Sequence, residues 1–284
     1  MSVFDLTSAD GTRIRGWTND GSGPAVLLCN GLGAPAQSWP LLTGSDSGFR
    51  VASWDYRGLG GSARPADPKR IGVADHLADA LTVADTAGLD EFVVLAWSIG
   101  VNVAFELASV CPGRVRAVLG VAGVPGGSFQ AMFGPLRGAA RARHAGAVGA
   151  AKALRLAGPA LNRVARSTPL NRATATLIRH SGVVHRAARP EYLLPTVAEF
   201  REHDFRWYFT LAVAMAEHHP MDLAFVRCPV TLAGGRRDIL VSRHDLERAA
   251  ARIPHAKLVM LDGSHFLPLE RPAELTALLR ELVG

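Results

Sequence analysis

Short apolar runs that alternate with longer segments of helical character constrain this chain more than any other feature. Residues 25–29, 49–54, 91–96 and 115–121 are nearly all apolar and rich in Val and Leu, the pattern of strands covered on both faces. Residues 73–87 and 99–110 fill the gaps as helices, the second stopped by Pro112-Gly113. Strands and helices in alternation predict a parallel sheet with helices on both sides. Ahead of them, residues 3–6 and 13–18 flank Ala9-Asp10-Gly11 and predict an antiparallel hairpin.

The alternation lapses between about Val124 and Arg227, where Ala and Arg dominate with helical spacing and several prolines. It resumes with a strand at 230–233, a helix at 244–252, a strand at 257–261 and a helix at 273–283. The expectation is one α/β core built from residues 1–124 and 228–284, a mostly parallel sheet flanked by helices with an N-terminal hairpin. A helical cap insertion over residues 125–227 interrupts it. With 284 residues, 48% of them hydrophobic, the chain can bury a substantial core and does not read as disordered. No apolar run approaches the roughly 18 residues that span a bilayer, and Met1-Ser2-Val3-Phe4-Asp5 has no signal character. A cytoplasmic location is the expectation.

The net charge of +6 conceals an asymmetry. Residues 126–190 carry eleven basic side chains and no Asp or Glu, which leaves 20 basic against 25 acidic residues elsewhere. Lys152, Arg155, Arg163 and Arg166 fall on one helical face, although Pro159 must bend or split such a helix. Leu154, Leu156, Leu161 and Val164 supply apolar surface nearby. Such a face is either simply solvated or attracts an anionic lipid surface or an acidic acyl carrier. No recognition motif points to nucleic acid. The second half of the insertion, with Phe205, Trp207, Tyr208, Phe209, Leu211 and Met215, suits either the roof of an acyl pocket or core packing.

Ala96-Trp97-Ser98-Ile99-Gly100 lies between a predicted strand and a predicted helix. In that context a small-x-Ser-x-small pentapeptide predicts a tight turn that projects its serine above the carboxyl ends of the strands. A serine hydroxyl needs a base, and His265, in the loop after the last predicted strand, has the right placement. An imidazole base needs a carboxylate to fix its tautomer. Asp238 follows the 230–233 strand and is preferred to Asp262, which leaves its strand only three residues before His265 and suits a loop brace. The backbone N–H groups of Ile99, at a helix start, and Leu32, in the turn Cys29-Asn30-Gly31-Leu32-Gly33, are the expected oxyanion donors. That turn matches neither phosphate-loop pattern, and Cys29, Cys111 and Cys228 fit neither a zinc site nor a redox pair. No metal or organic cofactor is expected.

Four motifs in order carry a family resemblance: Asn30-Gly31 after a strand, Asp55-Tyr56-Arg57-Gly58-Leu59-Gly60-Gly61-Ser62, the turn around Ser98, and His265-Phe266-Leu267-Pro268-Leu269-Glu270-Arg271-Pro272. Together the sequence resembles the α/β-hydrolase fold family, in its serine-nucleophile carboxylesterase and lipase-like branch. The resemblance implies Ser98, His265 and Asp238 as a catalytic triad and a purely structural Asp-x-Arg-Gly turn. Asn30 replaces the usual His, Ala96 the commoner Gly, and Val101 a frequent second Gly. Dehalogenases and epoxide hydrolases of this fold carry aspartate where Ser98 stands. Trp97 resembles the Gly-Trp-Ser-x-Gly elbows of some carboxylesterases, as a substrate contact or as packing. The implied activity is hydrolysis of a carboxylic ester with an apolar acyl chain and an anionic head or carrier. An acyltransferase, a perhydrolase, a C–C bond hydrolase and a non-catalytic binding protein are the alternatives on the same scaffold.

Overall fold

Residues Ser2–Thr7 (β1) and Arg13–Thr18 (β2) form the expected hairpin, with Thr7 opposite Arg13 and Gly11 at φ 82° in the turn. The computed structural model describes residues 1–126, 140–218 and 221–284. Six further strands follow: β3 (Ala25–Cys29), β4 (Arg50–Trp54), β5 (Phe92–Trp97), β6 (Val115–Val121), β7 (Val230–Gly235) and β8 (Lys257–Leu261). The eight strands form one sheet in the order β1-β2-β4-β3-β5-β6-β7-β8, antiparallel at β1/β2 and β2/β4 and parallel from β4 onward. From β3 the chain steps outward to β4, then returns to the other side of β3 to lay down β5. The order therefore reverses between β3 and β5. Loops at the carboxyl ends of those two strands diverge there and leave a crevice, the place where open α/β sheets bind ligands.

Helices cover both faces, as the wholly buried β5 requires. Those at α1 (Val73–Thr86) and α2 (Gly100–Val110) pack one face, while the last helix packs the other through Leu275, Leu278 and Leu279. Between β6 and β7 stand α3 (Ala140–Ser167), α4 (Arg172–His180), α5 (Pro190–Phe200) and α6 (Phe205–Ala216). After β7 come α7 (Arg243–Ala250), α8 (Leu267–Glu270) and α9 (Pro272–Val283). Buried Ala147, Ala151, Leu211 and Met215 of the insertion join the core cluster of α1 and α2. Helices α3 and α6 thus share the main apolar core, whereas Ala175 of α4 and Leu193 of α5 belong to a separate cluster with Leu269.

Of the two outcomes expected at Pro159, a bend or a split, the split does not occur, for α3 runs unbroken from Ala140 to Ser167. A proline removes one backbone hydrogen bond, but α3 lies so close to α6 that a Cβ on Gly158 would sit 2.5 Å from the Arg206 nitrogen. That packing braces the helix beside the missing bond. Of the basic residues, Arg137 falls outside the described residues.

The Asp-x-Arg-Gly turn is a structural anchor. Arg57 is fully buried and grips Asp79 of α1 with two hydrogen bonds of 2.8 Å. It also donates to Asp10 and Ser8 in the hairpin turn, at 2.5 and 3.0 Å. Burial alone would raise the Asp10 carboxyl, but hydrogen bonds from Thr12 and Arg57 overcome it and hold the group at about 2. The same contest leaves Asp79 lowered. Both groups bind protons less readily folded than unfolded. Their contribution to stability is full above the unfolded value of 3.8 and is lost as the pH falls through the folded values. Arg57→Met strands the buried Asp79 carboxylate and takes a partner from the more exposed Asp10, and is expected to lose about 3 kcal/mol at neutral pH, with a smaller deficit near pH 3. Urea unfolding at the two pH values measures both; an equal deficit would contradict the assignment.

Candidate active site

Ser98 sits at the switch point, between β5 and α2, with φ 55°, in the left-handed region that side chains other than glycine rarely adopt. Its N–H donates to the Val121 carbonyl at 2.8 Å and its own carbonyl accepts from Val101 at 3.1 Å. The small flanking residues follow from steric contact. A Cβ at Gly100 would lie 2.0 Å from the Cys29 oxygen, and one at Gly123 would lie 2.3 Å from the Ser98 oxygen. The turn is thus clamped by β3 on one side and by the segment after β6 on the other.

The loop after β8 brings His265 to this serine, with Nε2 at 2.9 Å from Ser98 Oγ. Asp238, after β7, reaches the other ring nitrogen, Nδ1, at 3.0 Å through Oδ2. Its second oxygen accepts the N–H groups of Leu240 and Val241 at 2.8 and 2.9 Å. A carboxylate can only accept in such contacts, so Nδ1 carries the imidazole proton and Nε2 is free to accept from the serine. Asp262 points elsewhere, pairing with Arg237 and Arg271 on the surface. Cys29 is completely buried, and burial pushes its thiol far above the ordinary range. It is no nucleophile.

Two further groups fix the His265 loop. Trp97 Nε1 donates to the His265 carbonyl at 2.9 Å, and the indole packs edge-on against Trp39. Trp97 also lines the cavity, and its indole packs with Leu28, Trp39 and Leu95 of the core rather than on the cap. Glu270, 5% exposed, accepts from the Ser264 N–H and hydroxyl at 2.6 Å each and from the His185 N–H of the cap at 2.7 Å. Sequence reasoning quoted Glu270 without giving it a role; an acid set among Leu267, Pro268 and Leu269 was the available signal. Glu270→Ala unpairs three donors and is expected to lose about 3 kcal/mol of stability. It should lower kcat more than it raises KM, because His265 drifts while the cavity wall stays. Urea denaturation and steady-state kinetics test the pair of effects.

The loop after β3 lies opposite the serine. Asn30, in place of the usual His, is fully engaged. Its Oδ1 accepts from Trp39 Nε1 and the Gly31 N–H, both at 2.9 Å, and its Nδ2 donates to the Ala34 carbonyl at 2.7 Å. Gly33 follows at φ 67°, and His203 of the cap binds its carbonyl through Nε2 at 2.8 Å. Nδ1 of His203 accepts from the Gly60 N–H, so Nε2 is the protonated nitrogen. Burial lowers the His203 pKa, which favours this neutral form. Trp207 Nε1 donates to the Arg57 carbonyl at 2.8 Å and Arg64 pairs with Asp204 at 2.6 Å. Through these contacts the cap is pinned to the loops beside the serine. No signal in the sequence marks His203 for such a part, since the contact joins residues far apart in the chain.

A cavity of about 470 Å³ lies between the sheet edge and the cap, with Leu32, Trp97, Ser98, Ile99 and His265 on its floor. The amides of Leu32 and Ile99 donate no hydrogen bond to any described residue. Buried backbone N–H groups are almost always paired. Two unengaged amides beside one serine hydroxyl make a site for a developing negative charge. Phe200 of α5 and Tyr208, Phe209 and Ala212 of α6 line the cavity, while Leu211 and Met215 of α6 pack inward. No charged side chain lines the cavity among the described residues. Tyr208, whose phenol burial pushes up to about 12, keeps its proton and has no hydrogen-bond partner among them.

Known proteins fit this geometry. Residues 24–272 match the family model of the α/β hydrolase fold. Epoxide hydrolase B of Mycobacterium tuberculosis is 29% identical over 143 residues, 45% of this chain and 40% of that protein. Matches to such curated relatives span less than half of their length. A hydrolase from Pseudomonas aeruginosa superposes with a TM-score of 0.74 at 21% identity, covering 100% of this chain and 98% of that one. A thermophilic esterase from Thermogutta terrifontis does so at 0.72 and 22%, covering 99% and 97%. At such identities the superpositions speak for the fold alone. The sheet order, the strained turn at its switch point and the match over residues 24–272 agree: this chain belongs to the α/β-hydrolase fold family.

Proposed function

We propose that this protein hydrolyses carboxylic esters with apolar acyl chains through an acyl-enzyme on Ser98. The observation that carries the reading is the 2.9 Å contact from His265 Nε2 to Ser98 Oγ, set beneath two unengaged amides. His265 takes the serine proton as Oγ attacks the ester carbonyl, and the Leu32 and Ile99 amides hold the oxyanion. Collapse of the tetrahedral adduct expels the alcohol, which receives the proton from His265. Water, deprotonated by the same imidazole, then attacks the acyl-serine and releases the acid. Trp97 and Glu270 hold His265 in register and are positioning residues.

Several curated relatives are epoxide hydrolases, but Ser98 disfavours that chemistry here. A serine that opened an epoxide would be left as an alkyl ether, which water attack cannot reverse. An acyl-serine is an ester and turns over. The uncharged cavity favours an apolar acyl chain, because an unpaired charge is costly to bury.

Each buried methylene is worth about 0.8 kcal/mol, so kcat/KM is expected to rise about fourfold per added carbon until the cavity is full. A series of esters of one alcohol, graded in acyl length, measures this. Highest activity on the acetyl ester, or on an acyl chain ending in a carboxylate, would contradict the reading.

A further inference from the structure

The described cations of the basic segment have no part in the cavity lining. Eight of its eleven basic residues, all between 152 and 189, have described side chains, and none of the eight lines it. Only Arg166 has an acidic partner among the described residues, Glu202 at 3.4 Å. Lys152, Arg155 and Arg163 share a face of α3 with Leu156, which is 77% exposed. On α4, Leu177 is 72% exposed. Leu156 thus stands exposed among three cations of α3 that have no acidic partner among the described residues, an amphipathic and basic helical surface.

Among the described residues the exposed part of the cavity lining is Ala150, Leu154 and Val183, on α3 and the loop after α4. At helical spacing Ala150 and Leu154 fall on the side of α3 opposite Lys152, Leu156 and Arg163, so the charged face is a surface distinct from the cavity lining.

We propose that the α3–α4 face docks on an anionic lipid surface, with the cations among the head groups and Leu156 and Leu177 dipping below them. An amphipathic, basic helical surface binds membranes in this way. Lipid fits better than an acidic carrier protein, because a carrier's amide-bearing arm needs polar partners along its path, and among the described lining residues only the Ser38 and Tyr208 hydroxyls are spare beyond the serine and its oxyanion amides. No helix among the described residues is long and apolar enough to span the bilayer, so the protein lies on it. The proposal concerns where the protein works and goes beyond which bond it breaks.

The full chain is sedimented with sucrose-loaded vesicles of phosphatidylcholine, alone or with about one-third phosphatidylglycerol. Binding is expected at least about tenfold tighter on the anionic vesicles and largely lost in about 0.5 M salt. At about fivefold per cation, the triple variant Lys152→Gln, Arg155→Gln, Arg163→Gln should bind about 100-fold more weakly. Leu156→Asp, a single exposed change, should weaken binding at unchanged charge on the neighbouring cations. Both variants should hydrolyse a soluble short-chain ester as the wild type does, which separates failure of docking from failure of the ester reading. Equal binding to neutral and anionic vesicles, unchanged binding by the triple variant, or capture of an acidic acyl carrier protein in place of vesicles would overturn the proposal.

Discussion

Ser98→Ala is expected to lower kcat on the best ester by on the order of 10⁴ or more while the protein remains folded. The serine hydroxyl contributes one buried contact, to His265, whereas the turn is held by backbone hydrogen bonds to Val121 and Val101 that alanine keeps. Alanine also keeps the strain of φ 55°. Ser98→Gly relieves it, and should match the loss of activity while adding about 1 kcal/mol of stability. Steady-state kinetics and thermal unfolding of the two variants separate the roles of the hydroxyl and the turn. The strained serine is a place where the fold gives up stability for reactivity.

Asp238→Asn is expected to cost about 10⁴ in kcat, the scale of a tautomer error. The direction follows from the hydrogen bonds. Leu240 and Val241 present N–H groups to Oδ1, so the asparagine oxygen must stay with them and its NH₂ must face His265 Nδ1. That nitrogen is then forced to accept, Nε2 carries the proton, and the imidazole can no longer take one from Ser98. Asp262→Asn, at the exposed brace, should leave kcat within about twofold, as surface changes usually do. Kinetics on both variants check the assignment; equal losses would move the acidic role toward Asp262.

The sheet was legible because strands buried on both faces have little freedom of composition. Residues 13–18, 25–29, 115–121 and 257–261 were read with their observed bounds, and the others shifted by a residue or two at their ends. Gly100 was readable for the same reason, since the close approach of Cys29 leaves room for no side chain there. Long-range contacts were harder. Asp238 emerged from sequence only by elimination, and its backbone partners Leu240 and Val241 had no motif. Glu270 and His203 act across 85 and 170 residues of chain, on His185 and Gly33; no local spacing announces such a pairing. The charge asymmetry was plain in the sequence, but which side of the cap it occupied was not. Among the described residues it lies outside the cavity, whose lining is apolar.

The central claim is that Ser98 is an activated nucleophile, and covalent labelling with a fluorophosphonate tests it most directly. The probe needs a serine already poised against a base and an oxyanion site, so it reports the whole arrangement of Ser98, His265, Leu32 and Ile99 at once. Intact-mass and peptide analysis are expected to show a single adduct per chain, on Ser98, absent after unfolding and in Ser98→Ala. No adduct on the folded wild-type protein, or an adduct on any other serine, would contradict the account.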